Sequence, residues 1–139
     1  MRRVPRLRLI VPVLVLAVLI SACASVPWKR QAVVSYEGLA KTLEIVQKNS
    51  MLFRDSGTIT QEQYAKIGLI YKPAKKLAAE TKAALDLAID AANTVKEDSY
   101  MEDYQKLLAQ FKTLFYNLLD LALDFGVLSR SEHSIYKEM

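Results

Sequence analysis

The chain of 139 residues carries 19 basic and 15 acidic residues, with one cysteine, one histidine and four glycines. That inventory excludes an internal disulfide and a zinc site assembled from cysteine and histidine. Four of the basic residues, Arg2, Arg3, Arg6 and Arg8, lie in the first eight positions, and residues 23 to 139 hold fifteen of each sign, so the net charge of +4 gives no reason to expect a nucleic-acid partner.

In chain order, the basic start is followed by Leu9 to Ile20, an unbroken apolar run of 12 residues interrupted in geometry only by Pro12. This is the length of a secretory signal core, shorter than the ~18 to 20 residues of a spanning helix. Small residues, Ser21, Ala22 and Ala24, surround the lone Cys23, so a protease can reach the backbone there. Ile20-Ser21-Ala22-Cys23 resembles the lipobox of bacterial lipoproteins, in which an aliphatic and two small residues precede an acylated cysteine. The resemblance implies cleavage before Cys23, a diacylglycerol on its sulfur and a further acyl chain on its amine. Two or more chains, at ~0.8 kcal/mol per buried methylene, make release from a membrane negligible. A second reading, an uncleaved membrane anchor, takes Leu9 to Ala24 as a span of borderline length.

The resemblance also bears on the compartment. Ala24 follows the cysteine where enteric lipoproteins carry an aspartate for inner-membrane retention, which implies the periplasmic face of the outer membrane in a Gram-negative host. In a Gram-positive cell the same signal leaves the protein on the outer face of its only membrane. The linker Ala24 to Arg30 spans at most ~25 Å, so the fold stays close to the bilayer. Trp28, Lys29 and Arg30 have the composition of a lipid interface, and equally of an ordinary linker with an exposed aromatic.

From Gln31 onward the spacing is helical. Tyr36, Leu39, Leu43, Val46, Ser50 and Phe53 step by 3 and 4 along one stripe, and Gly57 closes the helix. Thr60-Gln61-Glu62-Gln63 fits a capping box that opens the next. A calcium loop with Gly57 at its sixth position would place Leu52 first, Arg54 third and Gln63 twelfth, so that reading fails for want of carboxylates. The second helix runs from about Gln61 to Val95, with Ile67, Tyr71, Ala74, Ala78, Thr81, Leu85, Ala88, Ala92 and Val95 in register. Pro73 predicts a kink or break between Gly68 and Pro73.

Ser99-Tyr100-Met101-Glu102 reads as a second capping box. It accounts for the acidic group Glu97, Asp98, Glu102 and Asp103, for which a metal site is the alternative without a histidine to support it. Asp86 and Asp90 lie one turn apart, and Lys82 supplies an ion pair for Asp86. The third helix carries Met101, Tyr104, Leu108, Phe111, Phe115, Leu118, Ala122 and Phe125 in one stripe, with Leu107, Leu114 and Leu121 beside it. Asp103, Lys106, Gln110, Thr113, Asn117, Asp120 and Asp124 keep to a narrow opposite face. Gly126 to Glu132 repeats the grammar of Gly57 to Gln63, which fits either a duplicated helix-corner-helix unit or shared capping chemistry.

The fold class is therefore all-α: an antiparallel bundle of three long helices plus a short C-terminal one. The lipobox resemblance implies a signal peptide at residues 1–22 and a lipidated N-terminus and linker at 23–30, with the bundle expected over 31–139. Catalysis is not expected, since the single histidine, His133, has no cysteine partner once Cys23 is acylated, and neither a glycine elbow nor a phosphate-cradling loop is present. No cofactor or metal is expected beyond the covalent lipid. A structural or protein-interaction module is the leading function, with an envelope protein or a second copy as partner. The alternative is a carrier or sensor of an apolar ligand, using the alanine seam as a pocket. Tyr116, Leu119 and Leu123 lie off the main stripe, and are covered either by the chain's own tail or by a partner.

Overall fold

The computed structural model describes residues 27–139. The chain divides into two units, Met1–Ala32 and Val33–Met139. Four helices follow one another: α1 (Pro27–Asp55), α2 (Gln61–Asp90), α3 (Glu97–Asp124) and α4 (Arg130–Lys137). The first turns of α1, up to Ala32, belong to the first unit, and everything after them to the second. Among the described residues there is no strand.

Within the second unit three long helices pack together and the short α4 lies beside them. Hydrogen bonds set the direction of α2 against α1. Tyr36 Oη donates to the Ala78 carbonyl at 2.7 Å, Tyr71 Oη to Glu44 Oε1 at 3.0 Å, and Gln47 Nε2 to Tyr64 Oη at 3.2 Å. Rising numbers on α1 meet falling numbers on α2, so the pair is antiparallel. α3 returns from the corner at residues 91–96 and sets a file of tilted rings through the interior. Tyr36 and Phe111 have centroids 6.4 Å apart, Phe111 and Phe115 6.1 Å, Phe115 and Tyr116 5.8 Å.

The stripes read from the sequence are the buried faces. Leu39, Val46, Ile67, Ala74, Ala88, Phe111, Phe115, Leu118 and Ala122 are fully enclosed. Each large apolar side chain so removed from water contributes roughly 1.5 to 3 kcal/mol. The polar members of the core satisfy themselves locally: Thr42, Ser50 and Thr81 donate to the carbonyls of Gly38, Val46 and Leu77, one turn back. Burial pushes the Tyr36 and Tyr104 phenols up in pKa.

Two corners share one design. At the first, Gly57 takes φ 77°, Thr58 N–H donates to the Phe53 carbonyl at 2.8 Å, and the Thr60 hydroxyl and Gln63 side chain form the expected capping box. At the second, Gly126 takes φ 76°, Val127 N–H donates to the Ala122 carbonyl at 2.8 Å, and Ser129 pairs with Glu132 in the same way. The apolar residue before each cap, Ile59 or Leu128, is buried.

The α2–α3 corner departs from expectation. α2 ends at Asp90 rather than Val95, and α3 begins at Glu97, capped at Lys96 with no side-chain bond, so Ser99 to Glu102 is not a capping box. Instead Asn93 takes φ 64° and its N–H donates to Glu97 Oε2 at 2.6 Å. Asparagine tolerates the left-handed region, and its use here ends α2 before the hydrophobic period does. Val95, expected on the buried seam, is therefore fully exposed. Nor does Pro73 break α2, which runs through it as one helix. Pro73 itself is exposed, so its ring is turned away from the packed seam.

Candidate functional site

The two features outside the packed core are a trough between α2 and α3 and the latch that holds α4. The trough follows from small residues on α2. Ala83 and Ala84 leave space that Leu87, Tyr100 and Leu107 only partly fill, producing an open apolar depression of about 530 Å³ rimmed by charged side chains such as Glu80 and Lys106. It continues around the corner into a second depression of about 420 Å³, where Leu87 and Tyr100 are joined by Ala91 and Val95. Leu87 is 50% exposed and Val95 101%, so the trough ends at a bare apolar tip.

The latch is polar. Lys137 Nζ donates to Asp120 Oδ1 at 2.9 Å, and His133 Nε2 lies 2.7 Å from the same oxygen. The Lys137 hydrogen bond first and the His133 hydrogen bond second hold the Asp120 carboxyl below the usual carboxylate range. Lys137 also stands over the Tyr116 ring at 5.4 Å. Beyond α4, Met139 Sδ accepts from the Thr42 hydroxyl at 3.6 Å, carrying the tail onto α1.

Ile20, Ser21, Ala22 and Cys23 lie outside the described residues. Trp28 and Lys29 are half-buried and Arg30 exposed, all on the first turns of α1. Tyr116, Leu119 and Leu123 do not form one open patch. Leu119 is fully enclosed, and Tyr116 and Leu123 are half-buried on the helix along which α4 lies. Among the described residues no group of histidine, cysteine, aspartate and glutamate could hold a metal ion. Glu97 serves the corner turn, Glu102 pairs with Lys106 at 2.9 Å, and Lys82 pairs with Asp86 at 2.9 Å.

Sequence reasoning missed both features. His133 and Lys137 are one helical turn apart and Asp120 sits on the polar face of α3, so the residue types were in view. Their meeting depends on where α4 turns back. The bare tip was hidden by the unbroken period from Ile67 to Val95, which continues past the true end of α2. No protein family, curated protein or solved structure matches the chain.

Proposed function

We propose that the protein is a small envelope lipoprotein, held to a membrane through acylated Cys23, whose helical domain works as a structural or protein-interaction module rather than as an enzyme. In a Gram-negative host its place is the periplasmic face of the outer membrane. Support for the anchor comes from the sequence Ile20-Ser21-Ala22-Cys23 after a basic start and an apolar core. No helix of the described residues is long and apolar enough to cross a membrane, which is compatible with a lipid anchor.

The observation that carries the module reading is the solidity of the core. The alanine seam of α2 brings α1 close enough for Tyr36 to bond the Ala78 carbonyl, and Ala74, Ala78 and Ala88 are buried. Small residues there serve close contact between the helices, which favours packing over ligand binding as the use of the seam. The carrier alternative draws on the α2–α3 trough, which is apolar but open along its length. Ligand sites that retain apolar molecules enclose most of their surface.

The anchor is tested by Cys23→Ser, expected to abolish incorporation of a fatty-acid probe. Labelling equal to wild type would remove Cys23 as the attachment point. Native mass spectrometry of the detergent-extracted protein separates module from carrier: the mass of the acylated polypeptide alone is expected, and a stoichiometric additional lipid would favour the carrier.

A further inference from the structure

We propose that the α2–α3 corner is the face on which the protein rests against the bilayer, with Val95 entering the boundary between headgroups and acyl chains. This builds on the reading of Cys23 as the attachment point and adds an orientation to it. Val95 is 101% exposed at the apex of the turn, and Leu87, half exposed, adjoins it through the shared depression. Leu69 in the interior of α2, Ile135 on α4, and Met51 and Leu52 near the opposite end of α1 are exposed as well, so exposure alone does not choose the end.

Chain length selects this end of the bundle. Tyr36 is level with Ala78, and α2 continues twelve residues beyond Ala78 to Asp90, which is ~18 Å at a rise of ~1.5 Å per residue. Val33 lies three residues below Tyr36 on α1, leaving ~14 Å between its level and the end of α2. From Val33 back to Pro27 the chain is helical, ~9 Å at ~1.5 Å per residue, and the four residues from Cys23 to Pro27 add at most ~14 Å, a reach of ~23 Å that is enough to bring the corner to the surface that holds the lipid. The opposite end, at Asp55, is ~33 Å from Val33 in the other direction, beyond that reach.

The corner's chemistry selects the kind of surface. Asp90, Glu97 and Asp98 outnumber Lys96, so attraction to anionic headgroups is not the source of contact. An aliphatic tip touching a zwitterionic surface is. A tethered domain needs little affinity of its own, because the anchor holds the tip at high effective concentration near the lipid.

Cys23 is the only cysteine, so acylation leaves the full-length mature protein without a reactive thiol, and Val95→Cys adds a single one. Labelled with an environment-sensitive NBD maleimide and reconstituted in phosphatidylcholine–phosphatidylethanolamine vesicles, this variant is expected to emit at shorter wavelength and to be quenched by shallow doxyl-labelled lipid. The same label at Gln61→Cys, at the far end, is expected to behave as in water. A water-like Val95 label, equal quenching at both positions, or a shift that follows protein density without doxyl quenching would each overturn the proposal, the last because a second copy then covers the tip. Reaction of the wild-type protein with the maleimide would instead overturn the anchor reading, and the orientation with it.

Discussion

Asp120 holds the C-terminal helix by one carboxyl oxygen shared between Lys137 and His133. A carboxyl whose folded pKa is depressed contributes stability that is complete above its unfolded value, ~3.9, and is lost as pH falls through the lower folded value. Its side chain is 52% exposed, so solvent screening keeps the contribution at or below ~1 kcal/mol. Asp120→Asn is therefore expected to lower Tm by up to ~5 °C at neutral pH and to leave it unchanged near pH 2, read by thermal circular dichroism at both. An equal loss at both pH values would mean that packing, rather than the charge, is what the substitution disturbs. Glycines give a second residue-level contrast. An added Cβ at Gly68, inside α2, meets nothing within 4 Å, so Gly68→Ala is expected to stabilise by ~0.5 to 1 kcal/mol in urea unfolding. Gly57 also has open space but stands at φ 77°, and Gly57→Ala is expected to cost ~1 to 2 kcal/mol.

Among the helices, α3 has the most to lose, because its stripe meets the Tyr36 ring of α1 at Phe111 and carries the ring file on through Phe115. Phe115→Ala, at a fully enclosed position, is expected to destabilise by ~3 to 5 kcal/mol. Thr113→Asp, two residues away and exposed, is expected to stay within ~0.5 kcal/mol of wild type. Similar shifts in the two denaturation midpoints would show that the buried face of α3 has been wrongly assigned. The three corners show how far local chemistry reaches. Where glycine, an apolar residue, a hydroxyl cap and a Gln or Glu fall in fixed order, the helix ends and restarts as that order predicts. Where asparagine does the work of glycine and no hydroxyl caps α3, the capping-box pattern at Ser99 misleads.

At the scale of the whole molecule, the short α4 and the Val127-Leu128 pair before it complete the bundle. Val127 and Leu128 are buried, Leu119 is fully enclosed, and Met139 lies close enough to Gly38 that an added Cβ there would sit 2.8 Å from Cε. Truncation after Gly126 is expected to lower Tm and to cause self-association absent from the intact protein, measured by sedimentation in detergent. A truncated protein as stable and as dispersed as the intact one would show that the tail covers nothing of consequence.

The all-α class, the three long helices, the buried stripes and the two glycine corners were legible in the sequence, since each rests on a period or a capping pattern within a few residues. The reading of residues 1–22 as a targeting segment rests on the same kind of local order, of charge, apolar length and small residues, and lies outside the described residues. Tertiary structure alone decided the rest. That α2 stops at Asp90 depends on a left-handed Asn93 and a carboxylate from the next helix, and Leu119 is enclosed in a bundle that α4 completes. The latch needs Asp120 to meet two side chains thirteen and seventeen residues further on, across a reversal of the chain. Helical periodicity records which residues share a face. It does not record where the chain turns back, and that turn decides which faces are covered and which, like Val95, are left bare.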